Sequence, residues 1–126
     1  ASVEGQDAPN VAWWGDQQKH DDVYAMFMAK VKECGLEDWV DVHRNRSDGV
    51  VIPQGIGVCV VDGNHGPQSF IDTTRFAPSI RLGGGCVLDD IGWSGGNVGR
   101  AAEWLKSNGF MELHALGTGA VFQRIQ

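Results

Sequence analysis

The chain has 126 residues, of which 42% are hydrophobic and five are tryptophan, so its apolar side chains suffice for one core and not for two. Its formal net charge of −6, without a run of lysine or arginine, argues against a nucleic-acid partner. No apolar stretch reaches the roughly 18 residues of a membrane-spanning helix, and the three cysteines lack metal-ligand spacing. We therefore expect a soluble, cytoplasmic protein with no membrane partner and a single domain over residues 1–126.

The first part of the chain predicts one helix and two short strands. Residues 2–7 form a weak strand candidate. An amphipathic helix is predicted from a cap at Asp21 or Asp22 to a stop at Gly35, because five residues recur on one helical face: Tyr24, Phe27, Met28, Val31 and Cys34. Residues 40–43 alternate between apolar and polar types, which predicts a strand.

Two apolar runs in the middle of the chain end in carboxylates. Residues 57–61 lead into Asp62, and residues 83–88 lead into Asp89 and Asp90. Apolar runs without alternation are typical of strands that are buried on both faces of a parallel sheet. Because ligands of open α/β sheets bind beyond the carboxyl ends of the strands, we predict that the three aspartates converge there.

A helix is predicted after each of these strands. The first helix starts at Pro67 and is closed by Pro78, and the second ends at residues 108–109. Residues 111–116 and 120–125 flank a Gly-Thr-Gly segment, which predicts a β-hairpin. The glycines at 83–85 precede a strand and predict a turn. The whole pattern indicates a three-layer α/β sandwich with an antiparallel edge.

Two segments resemble the class I S-adenosylmethionine-dependent methyltransferases, in the branch that methylates oxygen atoms of small molecules. Residues 60–65 (VVDGNH) are similar to the family's "IDGDH" segment at its fourth strand. Residues 81–90 (RLGGGCVLDD) are similar to the family's "L+PGG…DD" turn and fifth strand. The resemblance covers nearly the whole chain and includes the terminal hairpin. It implies a Rossmann-like fold with a mostly parallel sheet, with S-adenosylmethionine as cofactor and a small hydroxylated molecule as acceptor.

The resemblance also implies the metal ligands and the catalytic base. In the metal-dependent branch, carboxylates at the positions of Asp62, Asp89 and Asp90 hold Mg²⁺ or a similar cation, which lowers the pKa of the acceptor hydroxyl. His65 is the candidate general base, since an unperturbed histidine has a pKa of about 6.5. Simpler roles remain open: Asp62 as a helix or turn cap, Asp90 as a solvated loop residue, and His65 as a hydrogen-bond partner of the backbone.

The candidate cofactor-binding residues are Asp7, Ser47 and Asp62. Asp7 is similar to the acidic residue that accepts both ribose hydroxyls of the cofactor, and Ser47 lies where the family contacts adenine. Each also fits an ordinary turn. Trp93 is a candidate wall of the acceptor pocket.

The family's first strand and glycine-rich cofactor loop would precede Val3, and no GxGxxG motif occurs elsewhere. We therefore expect a domain that is truncated at its N-terminus, and either a homo-oligomer or a partner chain that supplies the missing strand. Two alternatives to an active enzyme follow. The chain is a non-catalytic binding or oligomeric interaction module, or it is one piece of a split enzyme.

Overall fold

A computed structural model describes residues 22–126. The chain divides into an N-terminal unit that ends at Val50 and a C-terminal unit that runs from Val51 to Gln126. The predicted strand at residues 2–7 lies outside the described residues, and the single domain over 1–126 stays a prediction. Between residues 22 and 126, no helix has both the length and the apolar character that crossing a membrane requires.

The predicted amphipathic helix is confirmed in the N-terminal unit as α1, Val23–Glu33. Asp22 caps it, because its carboxylate accepts a hydrogen bond of 3.0 Å from the backbone amide of Ala25. Val31 is the buried residue of this helix. The Arg44 guanidinium lies 4.3 Å from the centre of the Tyr24 ring, a cation–π contact within the same unit.

The strand predicted at residues 40–43 is wrong. These residues form no regular element and pair with no strand among the described residues of the unit, and a strand requires a neighbour to complete its ladder of hydrogen bonds. His43 and Asp41 instead contact each other at 3.2 Å on the surface. The chain continues into a short 3-10 helix, Ser47–Gly49.

The C-terminal unit is an α/β structure with a four-stranded mixed sheet. The elements in chain order are β1 Ile56–Val61, α2 Pro67–Phe76, a 3-10 helix Ala77–Ser79, β2 Ile80–Leu88, α3 Asn97–Ser107, β3 Phe110–Leu116 and β4 Gly119–Arg124. The sheet order is β1-β2-β4-β3, in which β1 and β2 are parallel and the other described neighbours are antiparallel. The predicted terminal hairpin is therefore confirmed, whereas the prediction of a mostly parallel sheet is wrong for this unit, because the hairpin adds its strands in antiparallel pairs.

The core of this unit lies between the two helices and one face of the sheet. Its largest fully buried apolar side chains come from β2, α3 and β4: Ile80, Leu88, Leu105 and Phe122. Burial of one such side chain stabilises the fold by roughly 1.5–3 kcal/mol. Helices α2 and α3 also contact each other, with the Arg100 guanidinium 4.4 Å from the centre of the Phe70 ring.

The prediction that the first acidic strand is buried on both faces is wrong for β1. Val58 and Val60 are 66% and 64% exposed, whereas Cys59 and Val61 pack against the core. The reason is topological: β1 is at the edge of the described sheet, and α2 and α3 cover the face to which Cys59 and Val61 point.

The three glycines at 83–85 do not form a turn before β2 but lie inside it. The register is irregular there, because Ile56 pairs with Ile80 whereas Val58 already pairs with Gly85. The extra residues bulge out of β2 and bring its backbone against β1. A Cβ atom on Gly84 would lie 2.7 Å from the carbonyl oxygen of Gly57, so this approach requires glycine.

We expect Gly84→Ala to lower the free energy of unfolding by about 1–3 kcal/mol, because the added methyl group meets backbone atoms that cannot rotate away. Gly63→Ala is the matched control, since its Cβ would meet nothing within 4 Å. Urea unfolding followed by circular dichroism measures both. Equal midpoints for the two variants would contradict the close approach of the strands.

Candidate functional site

Three aspartates meet at one edge of the sheet, as predicted. Asp62 directly follows β1, and Asp89 and Asp90 directly follow β2. The two strands are parallel and pair Val61 with Leu88, so their carboxyl ends reach the same edge. One carboxylate oxygen from each aspartate lies within 4.8 Å of the others. This places three acidic side chains where ligands of open α/β sheets bind.

Asp89 is held by the turn of the terminal hairpin. Its Oδ1 atom accepts hydrogen bonds of 2.8 Å from the Thr118 hydroxyl and 2.8 Å from the backbone amide of Asp90. Both bonds favour the ionised form, the Thr118 hydroxyl most, and they lower the pKa of Asp89. Asp89 is therefore negatively charged at neutral pH.

The hairpin reaches Asp89 because residue 119 is glycine. A Cβ atom at this position would collide with the carbonyl oxygen of Leu88 and would lie 3.2 Å from Oδ1 of Asp89. Without that atom, the start of β4 lies close beside the end of β2, where Ala120 pairs with Leu88. The neighbouring Thr118 is then close enough for its hydroxyl to donate a hydrogen bond to Asp89.

Asp90 is paired with His65. The Nε2 atom of His65 lies 2.8 Å from Oδ2 of Asp90, and the two side chains are only 14% and 26% exposed. An ionised carboxylate only accepts hydrogen bonds, so Nε2 carries the proton of this contact. Nδ1 of His65 is buried. In this arrangement His65 fixes the Asp90 carboxylate, and its role as general base stays a prediction.

A single turn, residues 90–93, carries Asp90 and Trp93, which both contact His65. Asp90 has a φ of +54°, a left-handed conformation that is uncommon for residues other than glycine. The backbone amide of Trp93 donates to the carbonyl oxygen of Asp90 over 3.0 Å and closes the turn. The Trp93 ring then stacks on the His65 ring, with centroids 4.3 Å apart and an angle of 18° between the planes. The left-handed backbone at Asp90 thus belongs to the turn that holds the His65 ring between a hydrogen bond and an aromatic stack.

The loop that carries His65 is fixed by the start of α2. Oδ1 of Asn64 accepts a hydrogen bond of 2.5 Å from the backbone amide of Gly66, and the Ser69 hydroxyl donates to the carbonyl oxygen of Gly66 over 2.8 Å. Pro67 occupies the first turn of the helix, as predicted. These contacts define how the chain turns between Asp62 and the helix.

The predicted cofactor residues other than Asp62 are not joined to this site by the structure. Asp7 lies outside the described residues. Ser47 begins the 3-10 helix of the N-terminal unit, which is described by itself. The roles of Asp7 and Ser47 in binding the ribose and adenine therefore stay predictions.

Two contacts of the site had not been predicted from the sequence. The sequence indicates Thr118 only as part of a Gly-Thr-Gly turn, and it suggests Trp93 as the wall of an acceptor pocket, not as a partner that stacks on His65. A threonine between glycines does not by itself identify a carboxylate partner 29 residues away. A turn that follows two aspartates and contains a tryptophan was the available signal for the stack.

No protein family model matches the chain, and no curated protein matches it either. The feature that bears on function is the group of Asp62, Asp89 and Asp90 at the carboxyl ends of β1 and β2, called the acidic edge below.

We expect Thr118→Val to raise the pKa of Asp89 toward the ordinary aspartate value of about 3.9. The substitution removes the hydrogen bond that lowers this pKa most. Because the folded-state pKa is lowered, the stabilisation by this contact is present above the ordinary pKa and is lost as pH falls through the folded-state pKa. Carbon-detected NMR titration of the carboxylates measures the shift.

Thr74→Val is the matched control for this titration, since the Thr74 hydroxyl donates to a backbone carbonyl, that of Ile71, and to no carboxylate. It should leave the Asp89 titration unchanged. An Asp89 pKa that is the same in Thr118→Val and in the unmodified chain would contradict the assigned cause.

Proposed function

We propose that the chain is a methyltransferase-type protein with a Rossmann-like fold, which transfers a methyl group from S-adenosylmethionine to an oxygen of a small hydroxylated molecule. The convergence of Asp62, Asp89 and Asp90 at the carboxyl ends of two parallel strands is the observation that carries this proposal. The antiparallel terminal hairpin, which the sequence resemblance implies, also supports it.

The donor set fits Mg²⁺ or a similar divalent cation. Such cations prefer carboxylate oxygens and need only one or two from the protein, with water completing the coordination. The hydrogen bonds described above are made to Oδ1 of Asp89 and Oδ2 of Asp90, and each carboxylate has a second oxygen. Three carboxylates so close together repel one another, which a cation relieves. When bound, the cation lowers the pKa of the acceptor hydroxyl.

The side chains around the aspartates hold them in position. The Thr118 hydroxyl holds the Asp89 carboxylate and lowers its pKa, and His65 fixes Asp90, so two of the three carboxylates are preorganised before a ligand arrives. Asp62 is exposed and is the one open to the acceptor. Trp93, stacked on His65, is 37% exposed and offers an aromatic wall beside the acidic edge.

Methyl transfer is an in-line displacement, so the cofactor sulfonium and the acceptor oxygen must be aligned. We assign the binding of the cofactor to Asp7, Ser47 and Asp62. We further propose that a second copy of the chain, or a partner chain, supplies the strand that completes the sheet beside β1. The free cysteines agree with a cytoplasmic location, where thiols stay reduced.

The direct test is isothermal titration of S-adenosylmethionine and S-adenosylhomocysteine into the purified chain, with and without Mg²⁺, at an oligomeric state fixed by sedimentation. We expect saturable binding of both. Binding without methyl transfer to any of a panel of hydroxylated acceptors would favour the non-catalytic module. No heat of binding in either condition would contradict the proposal for this chain.

We expect Asp62→Asn to weaken Mg²⁺ binding roughly tenfold or more while the far-UV circular dichroism stays unchanged, because one charged ligand is lost from an exposed position. Glu103→Gln is the matched control: it also removes one negative charge, but from a surface pair with Lys106 on α3. Calorimetry with MgCl₂ measures both. Equal Mg²⁺ affinity in the two variants would contradict the metal site.

Two variants separate the possible roles of His65. Glutamine retains an N–H donor for Asp90, so His65→Gln should bind Mg²⁺ as the unmodified chain does, whereas His65→Ala should bind roughly tenfold more weakly. If His65 only positions Asp90, methyl transfer survives in His65→Gln with an unchanged pH profile. If His65 is the general base, both variants lose transfer and the acidic limb of the profile, where a protonated base is inactive, changes. Equal Mg²⁺ affinity in both would contradict the positioning role.

A further inference from the structure

Cys59 and Cys86 are direct neighbours on the two strands that carry the acidic edge. They pair in the register of β1 and β2, where parallel strands lie about 4.8 Å apart. That spacing falls within the range of about 4.4–6.8 Å between the Cα atoms of disulfide-bonded cysteines. Both side chains are on the face of the sheet that α2 and α3 cover, and each thiol shifts the pKa of the other.

We infer that Cys59 and Cys86 are a redox-sensitive thiol pair that hydrogen peroxide converts into a disulfide between β1 and β2. Both cysteines are free thiols in the structure. Cytosolic disulfides of this kind are characteristically transient and redox-sensing. The inference concerns a modification of the sheet and does not depend on the proposed methyl transfer.

Cys59 is the thiol that reacts first. Cys86 is completely buried, whereas Cys59 is partly exposed. Cys86 donates its S–H to Cys59 and so lowers the pKa of the Cys59 thiol, against the opposing effects of burial and of the Asp72 charge. The same hydrogen bond raises the pKa of Cys86. Thiolate character and access therefore coincide at Cys59 and not at Cys86.

The reaction with peroxide balances in two steps. The Cys59 thiolate attacks one peroxide oxygen, the O–O bond breaks, and the departing hydroxide takes up a proton to form water. The sulfur of Cys86 then attacks the sulfenic acid on Cys59 and displaces its hydroxide, which takes the Cys86 proton and leaves as a second water. The two sulfurs give up two electrons in total, and peroxide accepts them. A small oxidant is required because helices cover the pair.

The crosslink would act on the strands that present the aspartates. Asp62 and Asp89 each lie three residues beyond their cysteine, and the closed loop contains α2 and His65. The two strands would then be joined covalently directly beneath the acidic edge. A loop closed in this way has fewer unfolded conformations, so the oxidised chain should have the higher Tm.

The test is intact-mass analysis of the folded Cys34→Ser chain after treatment with hydrogen peroxide. This background removes the exposed cysteine of the N-terminal unit. We expect a loss of two hydrogens, a Cys59–Cys86 crosslinked peptide after digestion, a higher Tm than the reduced sample, and full reversal by dithiothreitol. An unchanged mass, or added oxygen without loss of hydrogen, would overturn the inference.

Two further variants in the same background establish which sulfur reacts first. With Cys86→Ala, Cys59 should accumulate as a sulfenic acid that dimedone traps, because no second thiol resolves it. With Cys59→Ala, buried Cys86 should remain unmodified under the same exposure. Dimedone labelling of Cys86 in Cys59→Ala, without labelling of Cys59 in Cys86→Ala, would overturn the assigned order. Disulfide-linked dimers of the Cys34→Ser chain on non-reducing gels, without an intramolecular crosslink, would overturn the pair itself.

Discussion

The backbone hydrogen bonds that join β1 to β2 set Val61 opposite Leu88, and the positions of the candidate site residues follow from this register. Both strands run in the same direction, so the residues that come next along the chain emerge at one edge. Because side chains alternate along a strand, a slip by one residue would turn Cys86 and Leu88 away from the core. Burial of these two side chains therefore fixes the place where Asp62 and Asp89 meet.

The acidic edge is an electrostatically unfavourable arrangement that the surrounding hydrogen bonds sustain. Asp89 accepts hydrogen bonds from the Thr118 hydroxyl and from a backbone amide, and Asp90 accepts one from the ring nitrogen of His65. Hydrogen bonds to ionised groups are roughly twice as strong as those between neutral groups. The left-handed backbone of Asp90 adds a conformational cost at the same place. Backbone strain and like charge concentrated at one place are typical of functional sites, which is why the acidic edge supports the proposal.

The sequence was sufficient for the features that depend on local pattern. The cap at Asp22, the start of α2 at Pro67 and the terminal hairpin are confirmed because each depends on residues a few positions apart. The convergence of the aspartates is confirmed because parallel strands share an edge. None of these predictions depends on which surfaces of the sheet are covered by other elements.

The predictions that are wrong depended on tertiary neighbours. The alternation at residues 40–43 does not indicate whether a neighbouring strand is present to pair with them. The apolar run of β1 likewise does not indicate whether a second layer covers Val58 and Val60. The glycines at 83–85 were expected to form a turn, but they bulge within β2 because the strand continues on both sides of them. The Thr118 contact also depends on the pairing of β4 with the end of β2, a long-range contact that local spacing does not encode.

The same register that brings the aspartates together also places two thiols under them. Cys59 and Cys86 occupy equivalent positions of their strands, three residues before Asp62 and Asp89, so one alignment determines both pairs. The acids lie beyond the strand ends, where solvent and small molecules reach them, whereas the thiols lie within the sheet under the helices. Any change that alters the spacing of the two strands must therefore act on both pairs. A disulfide between Cys59 and Cys86 would therefore act on the carboxylates through a few residues of parallel strand, without a moving domain or a long pathway.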